Sequence, residues 1–290
     1  MTPADTAPSD ADLHYDHLLD QGAMGHLWSS GGAYEAFLGR WTRLVASEFV
    51  SWLGVPPGGR WLDVGSGTGA LTQAVLDFAI PIEVTAVEPS AGLMTWAESQ
   101  IPDLRAHFVQ ADAERLPFDS AHFDAAVSGV VLDTVSDPEL AVAEMVRVVR
   151  GGGTVAAYVW DYAGGMTMLR SFWDAATALD PRAAAADEGR RRPLCRLEPL
   201  FALFDDAGLT QINMTAVDVP GTFQDFDDFW GPFLAGQGAA PHYAMSLDPD
   251  RRESLRAHLE QTLPMGADGA LTLPLRAWAI RGRSATPTPA

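Results

Sequence analysis

Lysine is missing from this chain. All 19 basic residues are arginine, set against 38 acidic ones, and the formal net charge is −19 over 290 residues. Without a lysine amine there is no side chain to form a Schiff base, which excludes pyridoxal-type catalysis. A surface this acidic, with no basic stripe, repels both the phosphates of nucleic acid and anionic lipid headgroups. Neither nucleic acid nor a membrane is therefore expected as a partner. Cysteine is almost as scarce. The lone Cys195 excludes an internal disulfide framework and any zinc site built on several thiolates. No apolar run approaches the length that spans a bilayer, and the acidic start MTPADTAPSDADLHYD reads as neither signal nor transit peptide. The expectation is a soluble, cytoplasmic protein.

What is present is a globular balance, 47% hydrophobic and 20% charged residues. A chain this long buries roughly 75% of its unfolded surface, so core size sets no limit. Short apolar runs alternate with amphipathic segments. Strands are predicted at Arg60 to Val64, Glu83 to Val87, Ala106 to Gln110, Phe123 to Ser128 and Thr154 to Val159. Helices are predicted at about Ala70 to Phe78, Ser90 to Gln100 and Asp137 to Val149, the last stopped by Gly151-Gly152-Gly153. This alternation indicates an α/β, doubly wound, mostly parallel sheet. Ala270 to Arg281 reads as a further long strand in which Pro274 implies a bulge or a locally unpaired N–H.

The most informative segment is Trp61-Leu62-Asp63-Val64-Gly65-Ser66-Gly67-Thr68-Gly69, where a strand hands over to a helix. Glycines there let backbone pass tight against a ligand. Gly65, Gly67 and Ala70 also satisfy a loose dinucleotide fingerprint, so an NAD(P)-dependent oxidoreductase competes. Three carboxylates bear on the choice: Asp63 and Asp112 weigh against it, while Glu88 serves NAD and S-adenosylmethionine equally. Asp63, two residues before the first glycine, would repel a pyrophosphate and welcome an ammonium. Glu88 ends the second strand, where a carboxylate can accept both hydroxyls of a ribose. Asp112, in Gln110-Ala111-Asp112-Ala113, sits where an exocyclic adenine amine can donate to it. S-adenosylmethionine has an ammonium, a ribose and an adenine, and no pyrophosphate.

The strings LDVGSGTG, AVEPS, QADAERLPFDSAHFDAAVS and EMVRVVRGGGTVAAYVW resemble, in order and spacing, the class I S-adenosylmethionine-dependent methyltransferases. The nearest branch is the small-molecule one, similar to the ubiquinone/menaquinone-biosynthesis type. The resemblance covers roughly Arg60 to Trp160. It implies a Rossmann-like seven-stranded sheet whose last strand is antiparallel, with Thr210 to Val219 pairing with the terminal strand and helical, aromatic cap insertions. It also implies that Asp63 lies near the methionine ammonium and that Gly65, Ser66, Gly67 and Gly69 pack on the cofactor. Glu88 would take the ribose, and Asp112 and Ala113 would frame the adenine with Met94 on its face. Ser128 would lie beside the methionine moiety. Tyr34 and Arg40, in a segment that resembles one folding over the cofactor, are carried as contacts, Arg40 as a fork for the methionine carboxylate.

On this reading the chain divides into a disordered tail (1–11), an N-terminal helical cover segment (12–55) and an S-adenosylmethionine-binding core (56–165). A helical and cap region (166–265) with the sixth strand, a terminal strand (266–283) and a disordered tail (284–290) follow. Methyl transfer from a sulfonium is an in-line displacement that needs alignment more than acid assistance. A base matters only for an acceptor that must lose a proton. His26, Tyr34, Asp161, His242 and Tyr243 are candidates, with Asp161 and His26 foremost. His14 and His17 share helical spacing without further metal ligands, and no metal is expected.

The run from Phe223 to Phe233 is an amphipathic segment with Phe226, Phe229, Trp230 and Phe233 on one face, broken at Gly231-Pro232. It reads either as ordinary packing onto the sheet, as a dimer surface, or as a lid over an apolar acceptor, with Trp160, Phe172 and Trp173 opposite. Arg190-Arg191-Arg192 reads as a solvated turn, pairing with an anionic substrate group being the alternative. Cys195 reads as a buried thiol. The expected activity is methyl transfer to oxygen or carbon of a small, apolar or aromatic metabolite, with S-adenosylhomocysteine as product. A retained fold that binds S-adenosylmethionine without methylating is the third alternative.

Overall fold

The computed structural model describes residues 31–235 and 238–285. The tail expected over 1–11, the start of the cover segment, and His14, His17 and His26 lie outside the described residues. Seven strands form one sheet: β1 Arg60–Val64, β2 Glu83–Val87, β3 Ala106–Val109, β4 Phe123–Gly129, β5 Val149–Trp160, β6 Thr210–Phe223 and β7 Leu271–Arg283. Their order is β3-β2-β1-β4-β5-β7-β6. The first five pair in parallel, and β7 runs antiparallel to both neighbours. The expected doubly wound sheet with its reversed last strand is the sheet observed.

The faces follow from strand periodicity, which sends alternate side chains to opposite sides. Trp61, Ala125, Val127, Ala156, Tyr158 and Trp160 join one core, while Leu62, Val64, Ala126, Val155, Ala157 and Val159 join the other. On the first face lie α1 (Arg40–Leu53), α2 (Ala70–Phe78) and α5 (Thr167–Leu179). On the second lie α4 (Pro138–Val148) and α6 (Leu197–Asp206). The chain enters α1 through a helical turn, Gly31–Tyr34, and a π turn, Glu35–Gly39. Helix α3 (Ala91–Gln100) follows β2, while α7 (Phe226–Trp230), α8 (Ala239–Ser246) and α9 (Pro249–Thr262) lie between β6 and β7. Among the described residues no helix is long and apolar enough to cross a membrane.

Several boundaries move, each for a local reason. Ser90 and Asp137 stand just outside their helices as caps, accepting from the Leu93 and Leu140 amides. Gly151, Gly152 and Gly153 do follow the end of α4, but they lie inside β5, tied to the far end of β7 through Gly152 N to Ser284 O. That bond, and Ser284 N to Gly153 O, hold Ser284 buried on the sheet, so the chain is ordered past the expected start of the tail. Pro274 makes no bulge. It pairs with Pro220 in regular register, where β7 has run beyond β5 and needs only one partner.

Gly129, at the end of β4, lies opposite Tyr158 of β5. A Cβ there would stand 2.6 Å from that ring, which is buried and wedged against Phe49 at 4.9 Å. Gly129→Ala is therefore expected to lower unfolding free energy by about 1–3 kcal/mol through overpacking. Urea denaturation should show this loss shrinking in a Tyr158→Leu background.

Candidate active site

The carboxyl edge of β1 carries an unusual acid. Asp63 is fully buried, and only one of its oxygens is used, accepting from Thr72 Oγ1 of α2 at 2.6 Å. Its Oδ1 is buried without a partner among the described residues, as are Ser66 Oγ and Thr68 Oγ1 in the turn that follows. Burial pushes the Asp63 carboxyl up to about 7, with the charge of Glu88 adding to the shift and the Thr72 hydrogen bonds opposing it. A buried acid with no countercharge, an unused oxygen of its own and two unused hydroxyls in the turn that follows suits a cationic, hydrogen-bonding ligand.

The turn needs its glycines. Gly65 has φ +75° and a Cβ there would fall 2.5 Å from Val131, while Gly69 has φ +88° and would meet Ile101 at 2.5 Å. The backbone thus lies against the loop after β4 on one side and the end of α3 on the other. Glu88 is buried just beyond β2 and receives the Gly67 amide at 3.0 Å and the Ser90 amide at 2.9 Å. Burial raises its pKa too, against these two hydrogen bonds. Two acids therefore face the same turn.

The other predicted cofactor residues divide. Ala113 is buried, Met94 is half-buried on the first turn of α3, and Asp112 is exposed, its carboxylate accepting from the Glu114 amide. Gln110 donates to the Pro89 carbonyl and so joins the ends of β3 and β2. Ser128 is fully buried and spends its hydroxyl on the Val64 carbonyl at 2.9 Å, cross-linking β4 to β1 rather than offering it to a ligand. Tyr34 reaches Thr42 Oγ1 at 2.9 Å, and burial pushes its phenol up to about 12. Arg40 is turned onto the cap. Its guanidinium pairs with Asp228 at 3.2 Å and lies over Trp41 and Phe223, because the acidic face of α7 offers it a carboxylate between two rings.

The acceptor candidates mostly became core. Phe229, Trp230 and Phe233 are buried, with Phe233 stacked on Phe172 at 4.6 Å and Phe37 edge-on at 5.7 Å. Trp160 is fully buried, its indole nitrogen without a partner among the described residues, and Trp173 donates its indole N–H to Glu188. Tyr243 packs against Phe172 and Trp173, whereas His242 is exposed. Asp161 closes the turn after β5 by accepting from the Gly164 and Gly165 amides at 3.0 and 2.7 Å, which occupies both its oxygens. Cys195 is buried, its thiol pushed up to about 11 by burial, and inert.

Residues not singled out from the sequence complete the edge: Thr72, Tyr158, Val131, Asp133 and Tyr162. Of the three-arginine run, Arg192 is not solvated; it pairs with buried Asp133 at 2.6 Å. Nothing in local sequence links positions 133 and 192. Two concavities of about 540 and 430 Å³ lie elsewhere, one along α6 and the outer strands at Phe201 and Trp278, the other between α5 and α9 at Tyr243 and Leu255. Neither includes a residue of the Gly-rich turn.

Residues 62–157 match the family described as a methyltransferase domain. The chain is similar to the demethylmenaquinone methyltransferase of Renibacterium salmoninarum, 38% identical over 114 residues, which cover 39% of this chain and 45% of that protein. It is 36% identical over 105 residues to the ubiquinone/menaquinone biosynthesis C-methyltransferase UbiE of Pseudomonas savastanoi pv. phaseolicola, covering 34% and 41%. The chain thus spans less than half the length of these curated relatives. A crystal structure from Bacillus halodurans C-125 covers 83% of this chain and 99% of its own at TM-score 0.56 and 14% identity, a likeness of fold.

The raised Asp63 pKa has two consequences. Because the folded value of about 7 exceeds the ordinary 3.8, the native state holds a proton that the unfolded state releases between these values. The Asp63 contribution to stability therefore falls as pH rises from 4 to 7. A cationic ligand competes with that proton, so its affinity should rise about tenfold per pH unit below 7 and level off above. Calorimetric titration against pH checks this, and Asp63→Asn should flatten both profiles.

Proposed function

We propose that this chain, whose residues 62–157 carry a methyltransferase domain of the class I S-adenosylmethionine-dependent type, methylates oxygen or carbon of a small, apolar or aromatic metabolite. The observation that carries the reading is Asp63, an uncompensated acid with a free Oδ1 at the mouth of a glycine turn. It calls for a cation where a dinucleotide would bring a pyrophosphate. S-adenosylmethionine supplies an electrophilic methyl on a sulfonium.

Asp63 holds the ligand ammonium, aided by the unused hydroxyls of Ser66 and Thr68. Glu88, already oriented by the Gly67 and Ser90 amides, retains lone pairs for ribose hydroxyls. Ala113 and Met94 offer apolar surface to the adenine, and exposed Asp112 a carboxylate. The buried edge of β4 and β5 excludes water around the reacting groups, and holding two reactants aligned can supply roughly 7–11 kcal/mol. Asp161 bonds the amides of its own turn and so supports the edge.

The printed names of the curated relatives suggest a quinone-type acceptor and transfer to carbon. The family match ends at residue 157, within β5, and α1 and the 161–262 region lie outside it.

Thermal-shift titration with S-adenosylmethionine, S-adenosylhomocysteine, NAD and NADP tests the cofactor. A ligand at about 100 times its Kd adds about 2.7 kcal/mol, and only the two sulfur ligands should do so. Asp63→Ala should weaken them about 10- to 100-fold, the worth of a hydrogen bond to a charge, with Glu88→Ala acting in the same direction. Transfer of labelled methyl to a panel of phenols and quinols then reads the activity. Stabilisation by NAD alone would replace this reading with the oxidoreductase.

A further inference from the structure

The loop leaving β4 presses onto the Gly-rich turn, as the 2.5 Å approach of Val131 to a Cβ at Gly65 shows. Two residues on, Asp133 points inward with its side chain 1% exposed and takes Nη1 of Arg192 at 2.6 Å. Arg192 arrives from the stretch between α5 and α6, and its guanidinium stands 5.7 Å from the ring of Tyr162, two residues past β5. An arginine, an acid and a phenol therefore meet at the carboxyl edge of β4 and β5, beside the turn at the edge of β1. The strand order reverses between β1 and β4, and the crevice at such a switch point is where open α/β sheets bind ligands.

The cluster has unused valences. Arg192 Nη1 serves Asp133, and among the described residues its Nε and Nη2 groups donate to nothing. Asp133 Oδ1 is buried and unpartnered. Burial disfavours the Arg192 charge, but the carboxylate of Asp133 outweighs it and the guanidinium stays ionised. Burial, with the charge of Asp133, holds the Tyr162 phenol protonated. Glu188, buried on Trp173, and Arg191 are the other ionisable groups that act on the arginine or share its field. Tyr162 lies in the field of Tyr34, and Tyr158 in the fields of Tyr34 and Asp63.

A fixed cation with free N–H donors, next to a neutral phenol, is a receptor for an oxygen anion. We propose that Arg192, positioned by Asp133 and assisted by Tyr162, clamps the acceptor's oxygen, so that the acceptor is a small aromatic or enolic molecule with an acidic hydroxyl, bound as its oxyanion. The hydroxyl proton leaves to solvent on binding, and no base in the protein is needed. The inference rests on the methyltransferase reading for the word acceptor; the oxyanion site itself does not.

The test uses 4-nitrophenol, whose phenolate is coloured, so absorbance reports its ionisation in the site. Titrations of the full chain run with and without S-adenosylhomocysteine, so the clamp is read even if the sulfur ligand fails to bind. In the wild type the bound probe's apparent pKa should fall by about 1–3 units, the effect of an adjacent cation. Arg192→Met combined with Asp133→Asn removes both charges and leaves none buried alone. In that variant the shift should vanish and affinity drop at least about tenfold, while thermal stabilisation by S-adenosylhomocysteine persists. Tyr162→Phe should keep the probe with a smaller shift. A probe that fails to bind the wild type, binds it unshifted, or binds the double variant with the same shift would overturn the clamp and leave the ion pair as a tether between insertion and sheet. Absence of stabilisation by the sulfur ligand, with the probe shift intact, would instead count against the cofactor reading alone.

Discussion

A carboxyl group buried without a countercharge is costly, and Asp63 is such a group. Its position at the end of β1 organises much of what surrounds it. Thr72, one turn into α2, satisfies one oxygen. The Gly65–Gly69 turn between them must coil tightly enough to bring that helix back over the acid. Glu88 comes to the same turn from β2 and fastens it through the Gly67 amide. The remaining Oδ1 is buried without a partner among the described residues, so the molecule holds an unmet electrostatic demand where the proposed ligand would meet it.

Around that edge the sheet is supported differently on its two sides. The second face is closed by α4 and α6 with mostly aliphatic packing around Phe123 and Phe204, and of the proposed cofactor contacts it holds Ala113. The first face collects most of the aromatics: Phe37 from the π turn, Trp41 from α1, Phe172 and Trp173 from α5, and Phe223, Phe229 and Phe233 from the edge of the cap. These rings pack on one another, and their interlocking joins α1, α5 and α7 in one core. Arg40 and Asp228 add a partly exposed ion pair between the same elements, an interaction that contributes little by itself.

The parts legible in the sequence were those set by local periodicity and by short-range turn chemistry. Alternation in β1 to β5, capping at Ser90 and Asp137, and the kink at Gly231-Pro232 depend on neighbours in the chain. The acids of the turn were legible for the same reason, each being the last polar residue of a strand that points at a common edge. Side chains whose partners lie far along the chain were not. Ser128 looked like a ligand contact until Val64, 64 residues away, took its hydroxyl. Arg40 looked like a carboxylate fork, but Asp228 stands 188 residues further on and claims it.

The Arg190-Arg191-Arg192 run draws the same line most sharply. By composition it is a charged turn, and Arg190, largely exposed, behaves as one. Arg192 is enclosed because the fold carries Asp133 to it across 59 residues, and an arginine with a buried carboxylate in reach stays ionised where water is scarce. The sequence by itself determined the order of strands and helices, the glycine turn and the acids beside it, since these follow from spacing along one chain. Which charges ended buried, and which aromatics became core instead of pocket wall, was decided only by tertiary structure, because desolvation and pairing depend on what packs against a group and not on what precedes it.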